Sequence, residues 1–173
     1  MNADITGEFY MAIDPVPIQA GTLIHYIATA TFKEVGGASV VDFSILPLAH
    51  ANHEPIPDVK PNTWTDLSVN NGVFIAPLDD AIIPAMANPI TGGDVVLQTG
   101  SQLIVSIQNA DFFGGLALGQ TNLGTKLDGS TIGGIRITAG TTGAALPAPV
   151  PSCEGKPTGG GNDAGTDAIS SDV

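Results

Sequence analysis

Positive charge is the scarcest property of this chain. Only Lys33, Lys60, Lys126, Arg136 and Lys156 are basic, against 17 acidic residues in 173, for a net charge of −12. They are scattered, so no basic patch stands ready to neutralise phosphates, which argues against nucleic-acid binding. An anionic membrane surface would repel the chain for the same reason. Cysteine is nearly missing too. Cys153 is alone, which rules out an intramolecular disulfide and any zinc site built from several thiolates. No apolar run approaches the ~18 residues that would span a bilayer, so no transmembrane segment is expected. The opening residues Met1-Asn2-Ala3-Asp4-Ile5-Thr6 have neither the basic nor the apolar region of a signal peptide. Two expectations stay open: a cytosolic chain, or one whose leader preceded Met1.

Charged residues of both signs make up 13% of the chain, about half the ~25% of an average soluble domain. Thr, Ser, Asn, Gln and Gly must therefore supply the polar surface, as they often do on extracellular β-proteins. The expected setting is extracytoplasmic: secreted, periplasmic or at the cell surface. Apolar residues, at 43%, suffice for one core.

What is abundant is two-residue alternation. Ile5, Phe9, Met11 and Ile13 share one parity, ahead of the Pro15–Pro17 link. Tyr26, Ala28, Ala30 and Phe32 share a face in a strand predicted over 23–33, and β-branched residues favour strand over helix there. Gly36-Gly37 reads as a hairpin turn, with Val41, Phe43 and Ile45 inward on the returning strand. Asn71-Gly72, between strands at 63–70 and 73–78, is the clearest hairpin signal. The stretch 79–86, with Ile82 and Ile83, reads as either a short strand or a single helical turn, and a strand with Val95 and Leu97 follows over 94–99. The stretch from Gly100 to Gly119 is expected to be a core pair on which the other strands pack. Leu103, Val105 and Ile107 point inward, Asn109-Ala110-Asp111 makes a corner, and Leu116 and Leu118 carry a second alternation. A last strand over 131–138 is expected to turn Ile135 and Ile137 in and Arg136 out. Eight to ten short strands without a convincing helix predict an all-β fold. The expected form is an antiparallel β-sandwich, Ig-like or jelly-roll in general shape, with a β-barrel as the alternative.

Composition divides the chain into a β-domain over 1–140, a Pro-rich extended segment over 141–151 and a disordered, acidic, Gly-rich tail over 152–173. An excursion over 49–62, punctuated by Pro55, Pro57 and Pro61, is long for a compact domain, and such loops are often functional.

Several short motifs look familiar. They are Asp4-Ile5-Thr6-Gly7, Phe43-Ser44-Ile45-Leu46-Pro47-Leu48, Asn88-Pro89-Ile90-Thr91-Gly92-Gly93-Asp94, Ala110-Asp111-Phe112-Phe113-Gly114-Gly115, and Gly129-Ser130-Thr131 leading to Arg136. Through them the chain resembles, over about 4–153, a group of myxobacterial-type predicted lipoproteins and secreted proteins without assigned function. The resemblance implies a β-domain at the cell surface or in the periplasm, with no catalytic residues to carry over. It also implies a lipid-modified cysteine ahead of the domain and a cysteine after the paired phenylalanines. The second position is Gly114 here, which leaves Cys153 without the partner that the resemblance would give it.

Candidate chemistry is sparse. His50, His53 and Glu54 are the one local cluster with metal-ligand character, suited to zinc or nickel if a distant group completes it. Their spacing is not that of a helical metalloprotease, and a solvated polar loop is the plain alternative. His25, mid-strand, is expected on an exposed or partly covered face. Asp79, Asp80, Asp94 and Asp111 sit at turns, where they could serve calcium or simply shape the backbone. Trp64, beside the long loop, is either a sugar-stacking platform or a plug in the core rim. No Gly-x-Ser-x-Gly elbow is present. These residues lead to a first expectation of a non-enzymatic surface, structural or interaction domain with a protein or glycan partner. A carbohydrate- or calcium-binding module is the second, and a small metal-dependent hydrolase the third.

Overall fold

The structure, a computed structural model, describes residues 2–155. Ten strands follow in order: β1 (Gly7–Asp14), β2 (Ile24–Val35), β3 (Ala38–Pro47), β4 (Asn62–Ser68), β5 (Val73–Pro77), β6 (Ile82–Ile83), β7 (Val95–Val96), β8 (Gln102–Asn109), β9 (Phe112–Leu118) and β10 (Ser130–Ile137). A single helical turn, α1 (Val16–Gln19), lies in the Pro-rich link after β1. No helix among the described residues is long and apolar enough to cross a membrane.

Eight strands form one antiparallel sheet in the order β4-β3-β2-β1-β10-β9-β8-β5, and β6 and β7 make a minor second sheet. The fold is all-β and antiparallel, as the alternation predicts. Its halves face each other across the core as in a sandwich, but they belong to one continuous sheet nearly closed into a barrel. Closure starts at the Asn-Gly turn. Asn71 and Gly72 sit at φ 50° and 76°, and Asn70 and Val73 exchange both backbone hydrogen bonds at 2.9 Å. This two-residue turn has the handedness that matches strand twist. It joins β4 to β5, the two ends of the sheet order. Farther along the same gap, the Trp64 indole N–H donates to the Pro77 carbonyl at 2.9 Å.

The interior is filled by the predicted stripes. Phe9, Met11, Tyr26, Ala28, Val41, Phe43, Ile45, Leu103 and Val105 are all buried. Phe43 of β3 reaches across to Phe74 of β5 and Phe113 of β9, with ring centroids 5.1 and 6.0 Å apart. Edge-to-face packing of this kind adds to the burial of the rings themselves.

Three expectations are corrected. The β8–β9 pair lies toward one end of the sheet order, while β1, β2 and β10 form its middle. In β9 the inward residues are Phe113 and Ala117, whereas Leu116 is 42% exposed. In β10 the parity is reversed. Ile132 enters the main core, and Ile135 and Ile137 pack with Tyr10, Ile27, Leu48 and Leu146 in a second cluster. Arg136 lies with its guanidinium 4.9 Å from the centre of the Phe9 ring. In β10 the outer face is itself covered, so an apolar residue on either parity can be buried, whereas in β9 the outward Leu116 is left uncovered.

The cover is the chain after β10. Gly140 N–H donates to Glu8, and Gly143 N–H donates to the His53 carbonyl. Leu146 enters the second cluster and Val150 is buried. The segment 141–151, set apart by composition, thus lies on the barrel, and residues 156–173 of the expected tail fall outside the described residues. Where the cover crosses β10 and β9 it needs paired glycines. Gly133 and Gly114 are opposite each other in register. A Cβ on Gly133 would strike the Val150 carbonyl, and one on Gly114 would strike the Cys153 sulfur.

That Cβ on Gly114 would lie 3.5 Å from the Cβ of Cys153, within the ~3.5–4.5 Å that a disulfide spans. Gly114→Cys is therefore expected to close spontaneously onto Cys153 under air, with loss of both thiols. The crosslink should raise stability by roughly 2–4 kcal/mol. Two titratable thiols in the folded variant would show that the covering segment lies elsewhere.

Candidate functional site

The two ends of the barrel differ. One carries the short turns at Gly36-Gly37, Asn71-Gly72 and Ala110-Asp111. The other carries every long connection: 15–23, 48–61, 78–101 and 119–129. At the turn end, Arg136 acts as a plug. Its guanidinium lies over Phe9, pairs with Asp111 at 2.8 Å and donates to the carbonyls of Thr6 and Ala110.

The long-connection end holds a cavity that opens to solvent and leaves about 70 Å³ for the centres of water-sized molecules. Its walls come from the strand ends and from the connections folded over them. Ile13, Ile24 and Ile45 enter from β1, β2 and β3, Ala117 from β9, Ile83 and Val95 from the minor sheet, and Leu127 from the 119–129 connection. None of the lining residues is charged. Small side chains create the space: Ala117 and Ala81 stand where larger residues would fill it. At the rim Ile82 is 52% and Leu123 60% exposed.

Most polar lining groups are already engaged. Asn88 holds its own loop through Thr91, Gly93 and Ile90. The Thr121 hydroxyl accepts from the Leu123 and Thr125 amides. Tyr26 is different: only 4% exposed, it lines the cavity, and burial alone pushes its hydroxyl up from its usual range. Its hydroxyl has no side-chain or backbone partner among the described residues.

On the opposite, outer face of β2 the chain's three histidines come together. The buried His25 is 5% exposed, where an exposed or partly covered face was expected, because the 48–61 connection folds over it. His53 lies with its ring centroid 4.1 Å from that of His25, and His50 lies at 6.4 Å. The Tyr10 hydroxyl is hydrogen-bonded to His25 Nδ1 at 2.7 Å. Burial, and then the neighbouring His53 and His50, push His25 down to about 4. Burial pushes Tyr10 up to about 12.

The other candidates are placed as follows. His50 and His53 approach each other through His25, which the sequence did not attach to them. Glu54 turns instead toward Gly143. No group of three metal-ligating side chains is arranged to hold an ion among the described residues. Asp79 accepts from the Gly100 amide, Asp94 from the Ala85 amide, and Asp111 pairs with Arg136. Asp80 occupies a turn at φ 59°. Trp64 is half-buried against Phe43, with its indole N–H committed to Pro77. The cavity is what sequence reasoning missed. Its one signal was the density of isoleucine and alanine in the 78–101 connection, which reads equally well as ordinary core.

Comparison with known proteins adds no relative: no family model, no curated protein and no solved structure matches the chain.

His25 makes stability depend on pH in a defined direction. Its folded value lies below the ordinary 6.5, so between about 4 and 6.5 the unfolded chain binds more protons. The His25 contribution is complete above pH 6.5 and shrinks as pH falls toward 4, by up to ~1.4 kcal/mol per unit. His25→Gln, which keeps a partner for Tyr10, should flatten denaturant-derived stability over that window relative to wild type. Equal slopes would place His25 in water.

Proposed function

We propose that this protein is a non-enzymatic binding module that takes a small, largely apolar molecule into the long-connection end of its barrel. One observation carries the reading: a cavity without a charged wall residue, left unfilled by small side chains and open between exposed isoleucine and leucine. Filling that space with side chains would contribute packing energy. Exposing Ile82 and Leu123 at its rim forgoes the benefit of burying them. Apolar pockets with a few placed polar groups, in the mouths of β-barrels, are common ligand sites. The sparse charge of the chain suits the extracytoplasmic setting that we propose with it.

The other readings draw less from the geometry. Sugar recognition through Trp64 would have to share a ring that packs on Phe43 and bonds Pro77 across the sheet gap. A calcium site or a metal-dependent hydrolase would need ligands now engaged in turns or turned apart.

Neutral N-phenyl-1-naphthylamine should gain fluorescence on addition of the protein, with saturation at one site. Ala117→Phe, which fills the cavity, and Ile82→Asp, which charges its rim, should each weaken binding at least ~10-fold, the equivalent of about 1.4 kcal/mol. Both variants should keep the β-type circular dichroism. Unchanged binding in both would overturn the assignment.

A further inference from the structure

Resting on that reading, we infer that the cavity selects neutral, largely apolar molecules bearing a hydrogen-bond acceptor, such as a ketone, aldehyde or ester, and that the Tyr26 hydroxyl is their anchor. Three features of the cavity lead there. First, its largely apolar wall disfavours sugars and other polyols, because most of their hydroxyls would give up water without gaining a partner. Second, it excludes carboxylates. No lining residue is basic, Lys126 is exposed between Thr125 and Leu127, and Lys33 is held by Asp42 and Asp66 outside the cavity, at 2.8 Å each. An anion entering an uncharged, low-dielectric pocket of a chain with net charge −12 would meet no compensation. Third, Tyr26 is a buried wall residue whose hydroxyl has no side-chain or backbone partner among the described residues, so its O–H is free to donate to a molecule in the cavity. Asn88 has spent both amide donors on its own loop, and the Thr121 hydroxyl is held there as an acceptor of two loop amides. Among the aromatic and aliphatic side chains that make up most of the wall, Tyr26 therefore supplies the donor. A pure hydrocarbon would fill the space and leave that donor unpaired. A site built to hydrogen-bond one group discriminates against the analogue that lacks it.

The test uses three molecules of nearly one shape: acetophenone, ethylbenzene and benzoate, titrated into the full chain and into Tyr26→Phe by calorimetry. Acetophenone should lose roughly three- to tenfold in affinity in Tyr26→Phe, as expected for one neutral hydrogen bond. Ethylbenzene should change by less than about twofold, since ring and packing are retained. Benzoate should bind more weakly than acetophenone to both. The infrared carbonyl stretch of bound acetophenone should lie lower in wild type than in Tyr26→Phe, a readout that altered packing would not give. Equal losses for ketone and hydrocarbon, an unshifted carbonyl stretch, or tighter benzoate would overturn the anchor while leaving the apolar pocket standing. If none of the three binds wild type, the pocket reading falls and the anchor with it.

Discussion

One hydrogen bond crosses the gap in the main sheet: indole N–H of Trp64 to carbonyl of Pro77, at 2.9 Å. A single curved sheet leaves two edges, and open edges are unpaired templates for other chains. Here the edges are β4 and β5, which follow one another in sequence through Asn71-Gly72. The turn fixes one end of the gap and Trp64 fixes it nearer the other. Pro77 has no amide hydrogen to donate, which suits a position at a sheet edge. Trp64 also stacks on Phe43, whose ring reaches Phe74 and Phe113. The same residue thus ties the gap to the centre of the core. Without closure the walls of the cavity would have no fixed separation.

Closure also gives the molecule its polarity. Short turns gather at one end and leave little there but backbone, and Arg136 fills the remaining space over Phe9 with its donors satisfied by Thr6, Ala110 and Asp111. Long connections gather at the other end and fold inward with apolar residues, mostly isoleucine and leucine. A plugged end and an open end follow from where the chain makes its short and long returns, and the ligand site follows from the open end.

Much of this was legible in the residues. Gly36-Gly37 and Asn71-Gly72 announced their turns because positive φ restricts such positions to few residue types. The stripes through Phe9–Met11, Tyr26–Ala28 and Val41–Ile45 announced the inner face because apolar residues recur there at every second position. The pattern misled where both faces are covered. Ile135, Ile137 and His25 lie under irregular segments that carry no periodicity, so alternation alone could not say that the outer face was covered. The meeting of His25 with His50 and His53 depends on how the 48–61 connection folds back, and the cavity depends on atoms that are missing at Ala81 and Ala117. Neither leaves a periodic mark. Cys153 over Gly114 is a similar case, a contact made by a crossing rather than a ladder.

Barrel closure requires that β4 and β5 meet. A nuclear Overhauser spectrum of the isotope-labelled chain tests this at its narrowest point. Cross-peaks from the Trp64 indole N–H to protons of Pro77 and Leu78, with slow exchange of that N–H, are the expected result. An indole proton that exchanges as fast as free tryptophan, with no cross-peak to β5, would contradict the closed barrel and the cavity it encloses.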